Sequence, residues 1–239
     1  MRSIAKDSAM WMKNRLFQSL GGGRMERFGL GLWSRLQMSA LKGRKPAAVV
    51  ESLREIARDQ RSLCSAFEQY LIYSLARSLN KMPGVMAEIG VFRGGTARLI
   101  CEAKGDRPFY LFDTFEGLPP ASEVDRGIYK EHQYTCRLDN VQAYLAKYDN
   151  LKYFKGIFPQ SAADTPEEKY SFVHMDVDLY EGTKACLEYF YPRMLPGGIM
   201  ISHDYGLLAG VEAAFTEFFA DKPEQVIDQP TTQAMVVKL

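Results

Sequence analysis

Residues 85–96, VMAEIGVFRGGT, pass from a short apolar run through a glycine-rich turn into the start of a helical pattern. Strand, turn and helix in that order are the opening unit of an α/β sheet, with Val85–Phe92 as the expected strand and Gly95–Lys104 as the expected helix. The turn glycines let a ligand approach the backbone closely, and Thr96 can cap the following helix. The spacing E-x-G-x-x-x-G is not the dinucleotide fingerprint G-x-G-x-x-G, because only one glycine lies in the tight turn. It fits a site without a pyrophosphate, such as one for S-adenosylmethionine (SAM), with Glu88 on the ammonium side of the methionine. A glycine turn that merely connects two elements is the alternative.

Downstream the same texture repeats. Further strands are expected at Pro108–Asp113, Leu151–Phe158, Ser171–Asp178 and Gly198–His203, with helices at Arg137–Tyr148, Gln160–Glu168 and Thr183–Arg193 between them. Such alternation specifies a parallel sheet covered on both faces. Val211, Ala214, Phe215, Phe218 and Phe219 form one more helical stripe. Gln225–Asp228 and Gln233–Leu239, separated by Pro230-Thr231-Thr232, read as a terminal hairpin. The expected fold is therefore α/β, a mostly parallel Rossmann-like sheet of seven strands closing in an antiparallel C-terminal hairpin. It occupies residues 83–239, behind a helical N-terminal extension over residues 1–82.

Within that extension, residues 1–45 carry ten Lys/Arg against two Asp/Glu, and the remaining chain carries 20 against 27. Trp11, Leu16 and Phe17, then Phe28, Leu32, Trp33 and Leu36, mark two short amphipathic helices broken by Gly21–Gly23, Gly29, Gly31 and Gly43. Leu53, Ile56 and Ala57, then Phe67, Leu71, Leu75 and Leu79, continue the helical spacing to Asn80. The basic segment reads as an oligomerisation arm or pocket cover in preference to a membrane-surface anchor. A net charge of +1 over 239 residues gives no signature of a nucleic-acid partner. The four cysteines, Cys64, Cys101, Cys136 and Cys186, have neither metal-finger nor disulfide spacing, and no signal peptide or membrane span is evident. A cytoplasmic protein is expected.

Acidic residues gather where strands should end. Asp113 lies 25 residues after Glu88 and suits a ribose diol, whose two hydroxyls donate to one carboxylate. The fourth strand runs into Asp176-Val177-Asp178 and the fifth into His203-Asp204. On neighbouring strand ends, Asp176, His203 and Asp204 would form an oxygen-rich metal site, leaving Asp178 as a base beside it. Carboxylates that cap the next helices are the alternative. His174 falls inside the strand and is taken as structural, and His132 as a loop residue.

These motifs together resemble the macrocin O-methyltransferase family, whose members methylate sugar hydroxyls of macrolide and aminocoumarin antibiotics. The resemblance rests on EIGVFRGG at 88–95, FDTFEGLPP at 112–120, DVDLY at 176–180, YPRMLPGG at 191–198 and HDY at 203–205. It runs over roughly residues 83–239 and implies a class I methyltransferase sheet, a SAM site, a magnesium ion and an aspartate base. Carried over by position, Glu88, Gly90, Asp113 and Thr114 would hold SAM, and Asp176, His203 and Asp204 would hold Mg²⁺ or Mn²⁺. Asp178 falls at the base, with His203 a second catalytic candidate. Arg93, Gly94, Gly95, Thr96, Phe115, Gly156 and Asp176 complete the expected cofactor contacts. The family usually has Asp-Asp where this chain has His203-Asp204, and imidazole suits Mn, Fe or Zn better than Mg²⁺. His203 is then either a ligand to a softer metal or a base.

The resemblance implies a small hydroxylated acceptor, glycosidic in kind, and a homo-oligomer. An NAD-linked oxidoreductase would share the glycine turn but has no need of the Asp-x-Asp. A SAM-binding module acting without catalysis is the remaining reading. Glu116–Gln133, with Pro119, Pro120 and Gly127, is long enough to form a lid.

Overall fold

The computed structural model describes residues 24–120, 125 and 131–239. The expected helix around Trp11, Leu16 and Phe17, the Gly21–Gly23 break, and Gly127 of the lid lie outside the described residues. Three helices come first, α1 (Arg24–Leu41), α2 (Ala47–Arg58) and α3 (Ala66–Ser78). The α/β unit follows as β1 (Val85–Ile89), α4 (Gly95–Ala103), β2 (Phe109–Asp113), α5 (Leu138–Leu145), β3 (Leu151–Lys155) and β4 (Tyr170–Met175). It closes with α6 (Tyr180–Phe190), β5 (Met194–Ser202), α7 (Ala209–Phe219), β6 (Ile227–Asp228) and β7 (Ala234–Val237).

The seven strands lie in the order β3-β2-β1-β4-β5-β7-β6, with β1 to β5 parallel and β7 antiparallel to both β5 and β6. The Rossmann-like class I sheet expected from the sequence is therefore present. β1 and β4 are buried along their whole length, as parallel strands covered on both faces must be. Alternate side chains serve the two layers. Met86 packs with α2, α3 and α4, whereas Val85, Ala87 and Ile89 pack with α6 and α7. On the second face Tyr110, Phe112, Phe154, Phe158 and Phe190 form a continuous aromatic cluster, with Phe112 stacked on Phe154 at 4.8 Å.

Order reverses between β1 and β4, because the chain leaves β1 toward β2 on one side and β4 toward β5 on the other. The crevice at such a switch point is where α/β sheets bind ligands. Here the two strand ends touch backbone to backbone. Gly90 has φ +84, and a Cβ there would stand 1.9 Å from the Asp176 carbonyl oxygen. No other residue fits.

Several elements differ from the sequence reading. The helix expected over Gln160–Glu168 is a single 3₁₀ turn, Gln160–Ala162. The first and fourth strands stop at Ile89 and Met175, so Gly90–Phe92 and Asp176–Asp178 belong to loops. α1 runs through Gly29 and Gly31 without a break. Ser34, Gln37, Met38 and Leu41 are its buried side, while Leu32, Trp33 and Leu36 are 54%, 55% and 60% exposed. Packing against α3 outweighs the roughly 1 kcal/mol that each helical glycine costs. Among the described residues no helix is long and apolar enough to cross a membrane.

The C-terminal hairpin is tied down at buried Glu224, which accepts hydrogen bonds from the Lys238 ammonium, the Tyr191 hydroxyl at 2.8 Å and the Leu239 N–H at 3.2 Å. Burial alone would raise this carboxyl, but the bonds from Lys238 and Tyr191 outweigh it and hold it at about 2 against an ordinary 4.5. A depressed pKa adds stability that is complete above the ordinary value and is lost as pH falls toward the folded one. Thermal melts at a series of pH values should therefore show Glu224→Gln losing less stability than the parent between about 4.5 and 2. Parallel curves for the two proteins would remove Glu224 from the acid response.

Candidate active site

A cavity of about 1020 Å³ opens at the carboxyl ends of β1, β2, β4 and β5. Its walls include Gly90, Thr96, Asp113, Thr114, Gly156, Asp176, Asp178, His203 and Asp204, all expected from the sequence. Arg61–Leu63, Ser65, Phe67 and Glu68, from the connection between α2 and α3 and from the start of α3, add a wall that the sequence reading missed. That connection crosses the start of α4. The Gly95 N–H donates to the Arg61 carbonyl at 3.2 Å, and a Cβ on Gly95 would stand 2.8 Å from it. Gly94, with φ +80, is the cap of α4, and Thr96, expected as the cap, lies inside the first turn because the helix already starts at Gly95.

Glu88, Arg93, Gly94, Gly95 and Phe115 do not line this cavity. Glu88 is fully buried, with Oε1 2.9 Å from Nδ1 of the equally buried His174. The physical reason is strand parity. Glu88 shares the side of β1 that Met86 occupies, so its carboxylate turns into the sheet instead of the crevice. Burial raises its pKa. Arg93 reaches the Gln60 carbonyl at 3.2 Å, and Phe115 is buried in the first core layer.

Asp113 closes β2 in a position that serves two purposes. Its Oδ2 accepts from the N–H groups of Val91 at 2.7 Å and Phe92 at 3.0 Å, and its Oδ1 accepts from Phe115 N–H at 2.6 Å. One carboxylate therefore fastens the glycine turn after β1 to the turn after β2. Burial raises its pKa, and these three N–H groups pull it partly back.

Opposite Asp113, the ends of β4 and β5 bring acids around one imidazole. His203 Nδ1 lies 3.2 Å from Asp176 Oδ1 and 3.0 Å from Asp204 Oδ1, and Nε2 lies 3.6 Å from Glu68 Oε2. Burial alone would lower the pKa of His203, but Asp204, Cys64 and Asp176 raise it well above normal. Asp178 is pushed well above the carboxylate range by burial and by Asp204 and Asp176. Asp178 and Asp204 have φ +61 and +59, a left-handed backbone that aspartate tolerates better than most residues and that recurs where function fixes the geometry.

Among the described residues two donor sets close to within 4.8 Å, Asp176–Asp178–Asp204 and Cys64–Asp176–His203. The trio expected to hold a metal is thus divided. Asp204 groups with Asp178, and His203 groups with Cys64, in whose spacing the sequence showed no metal-site pattern. Glu68 is fixed by accepting from Ser65 N–H at 2.7 Å and from the Thr232 hydroxyl at 2.7 Å. Its capping-box spacing to Ser65 was visible in the chain, but its reach to His203 was not. Asp125, in the expected lid, is buried and accepts from the Tyr180 N–H at 2.9 Å, at the start of α6.

Residues 69–235 match the sequence profile of a family described as macrocin-O-methyltransferase (TylF). Two characterised relatives are each 31% identical. Over 142 residues the chain aligns with 8-demethyl-8-(2,3-dimethoxy-alpha-L-rhamnosyl)-tetracenomycin-C 4'-O-methyltransferase of Streptomyces olivaceus, covering 53% of this chain and 54% of that one. Over 193 residues it aligns with mycinamicin III 3''-O-methyltransferase of Micromonospora griseorubida, covering 70% and 75%. The chain thus spans little more than half the length of the first. The solved structure of the O-methyltransferase NovP shares the fold, with a TM-score of 0.67 at 24% identity over 74% of this chain and 82% of that one.

Proposed function

The chain belongs to the macrocin O-methyltransferase family, and on that premise we propose that it transfers the methyl group of SAM to a hydroxyl of a sugar or glycosylated small molecule. The observation that carries this reading is the cavity at the strand-order reversal, with Asp113 on one side and Asp176, Asp178 and Asp204 on the other. Gly90, Thr96, Asp113, Thr114 and Gly156 hold the cofactor, with Asp113 toward the ribose. Residues 83–239 form the catalytic domain, and the extension of residues 1–82 supplies the Arg61–Glu68 wall. Residues 1–45 act as an oligomerisation arm or pocket cover.

Methyl transfer is an in-line displacement at carbon. The acceptor oxygen forms the new C–O bond while the sulfonium–carbon bond breaks, and its electron pair returns to sulfur, giving S-adenosylhomocysteine. The hydroxyl proton must leave as the oxygen attacks. Asp178 takes it, as the carboxylate that lines the cavity beside Asp176 and Asp204. His203, between Asp176 and Asp204, pairs with both carboxylates and steadies the acidic cluster instead of removing the proton. Three carboxylates that converge to within 4.8 Å fit a divalent cation, and Asp176 and Asp204 are placed to hold it. Such an ion would lower the pKa of the acceptor hydroxyl.

The test has two parts. Calorimetry should show SAM binding and no NAD binding, and labelled SAM should be consumed on a panel of glycosides. Binding of NAD alone would overturn the reading, and SAM binding without turnover on any glycoside would favour a non-catalytic module. EDTA should abolish turnover, with recovery on adding a divalent ion, whereas full activity after exhaustive chelation would remove the cation from the proposal.

A further inference from the structure

Cys64 is a buried thiol directly behind the crevice wall formed by Leu63 and Ser65, and the methyl transfer derived above makes no use of it. Its sulfur lies 4.0 Å from Asp176 Oδ2, in the donor set that His203 completes. The three ligands come from separate elements, the α2–α3 connection, the end of β4 and the end of β5. We propose that Cys64, Asp176 and His203 form a site for a borderline-soft divalent ion of the zinc class. This deepens the proposed function, resting on its reading that a divalent cation sits at these strand ends: Asp176, common to both donor sets, stays a ligand, and Cys64 with a neutral His203 takes the place given above to Asp204.

The chemistry of the donors points away from magnesium. Mg²⁺ takes oxygen ligands at near-octahedral positions, whereas thiolate, imidazole and one carboxylate are the ligands of a tetrahedral Zn²⁺. Asp204 Oδ1, 3.0 Å from His203 Nδ1, borders this donor set within reach of the fourth position. Ligands about 2.0–2.3 Å from a tetrahedral ion stand roughly 3.3–3.8 Å from one another. The Cys64–Asp176 separation of 4.0 Å closes to that range with a shift of a few tenths of an ångström.

A second observation supports the assignment independently. A histidine that ligates a metal through one nitrogen almost always offers the other to a carboxylate that fixes the ring. His203 presents Nδ1 to Asp176 at 3.2 Å and to Asp204 at 3.0 Å, and its Nε2, buried without a hydrogen-bond partner, faces Glu68 Oε2 at 3.6 Å. Glu68 is itself anchored by Ser65 and Thr232, so the ring has a fixed orienting group behind it.

Full-length protein stripped by chelation and titrated with Co²⁺ reads the donors directly. One equivalent should give the near-ultraviolet thiolate-to-cobalt absorption together with the visible bands of a tetrahedral ion, and Zn²⁺ should bleach both. Cys64→Ser should lose the thiolate band while still binding SAM. Glu68→Gln should keep that band but weaken Zn²⁺ by about 10–100-fold. A wild-type cobalt spectrum without a thiolate band, or Mg²⁺ displacing Zn²⁺ at equal concentration, would overturn the assignment without needing any variant to fold. SAM calorimetry on the same samples separates the two readings. SAM binding without thiolate-bound cobalt sinks only the metal inference, whereas loss of SAM binding in the metal-loaded wild type sinks the proposed function.

Discussion

Asp178→Asn should lower kcat by roughly 10²–10⁴-fold while SAM affinity stays within a factor of a few, as expected when only a general base is removed. Asparagine is the informative replacement here. It keeps the shape of the side chain and tolerates the left-handed φ of +61 at this position, so the fold is not put under new strain. It also removes one member of a carboxylate cluster whose charges repel, so the melting temperature should hold or rise. Single-turnover kinetics with labelled SAM, alongside calorimetry, would measure both quantities. A near wild-type kcat would show that another group accepts the proton. His203, between Asp176 and Asp204, would be the first to test, through His203→Asn.

The second large effect belongs to Asp113→Ala, which should weaken SAM by about 2–3 kcal/mol, the worth of hydrogen bonds to a charged acceptor. From the chain alone Asp113 reads as a ligand contact whose loss barely touches folding. The structure changes that expectation. The same carboxylate accepts from the N–H groups of Val91, Phe92 and Phe115, and its removal leaves those donors without their acceptor. A buried donor deprived of its partner costs about 1–3 kcal/mol, so the melting temperature should fall as well. Asp113→Asn should fall in the same direction, since its amide can present a donor where two N–H groups need an acceptor. Unchanged SAM affinity in a folded Asp113→Ala protein would take Asp113 out of the cofactor site and leave it as a fastener of the two turns.

Strand, turn and helix from Val85 onward were legible in the chain because each depends on local order. A buried parallel strand is a short apolar run, and a glycine turn must follow it where β1 abuts Asp176. The acids at Asp113, Asp176, Asp178 and Asp204 were legible as strand-end residues, and the terminal hairpin as two runs around Pro230. Strand ends were not, because hydrogen-bond pairing with neighbours, not apolarity, decides where β1 and β4 stop. The direction of Glu88 was likewise a matter of parity against His174 on the next strand, and the buried side of α1 was fixed by α3, not by its own periodicity. Least legible was the meeting of Cys64, Glu68, Asp176 and His203 in one crevice, across separations of more than a hundred residues. Spacing along a chain reports contacts within one element. It carries no signal for groups that only a reversal of strand order and a helical wall laid across it bring within 4 Å.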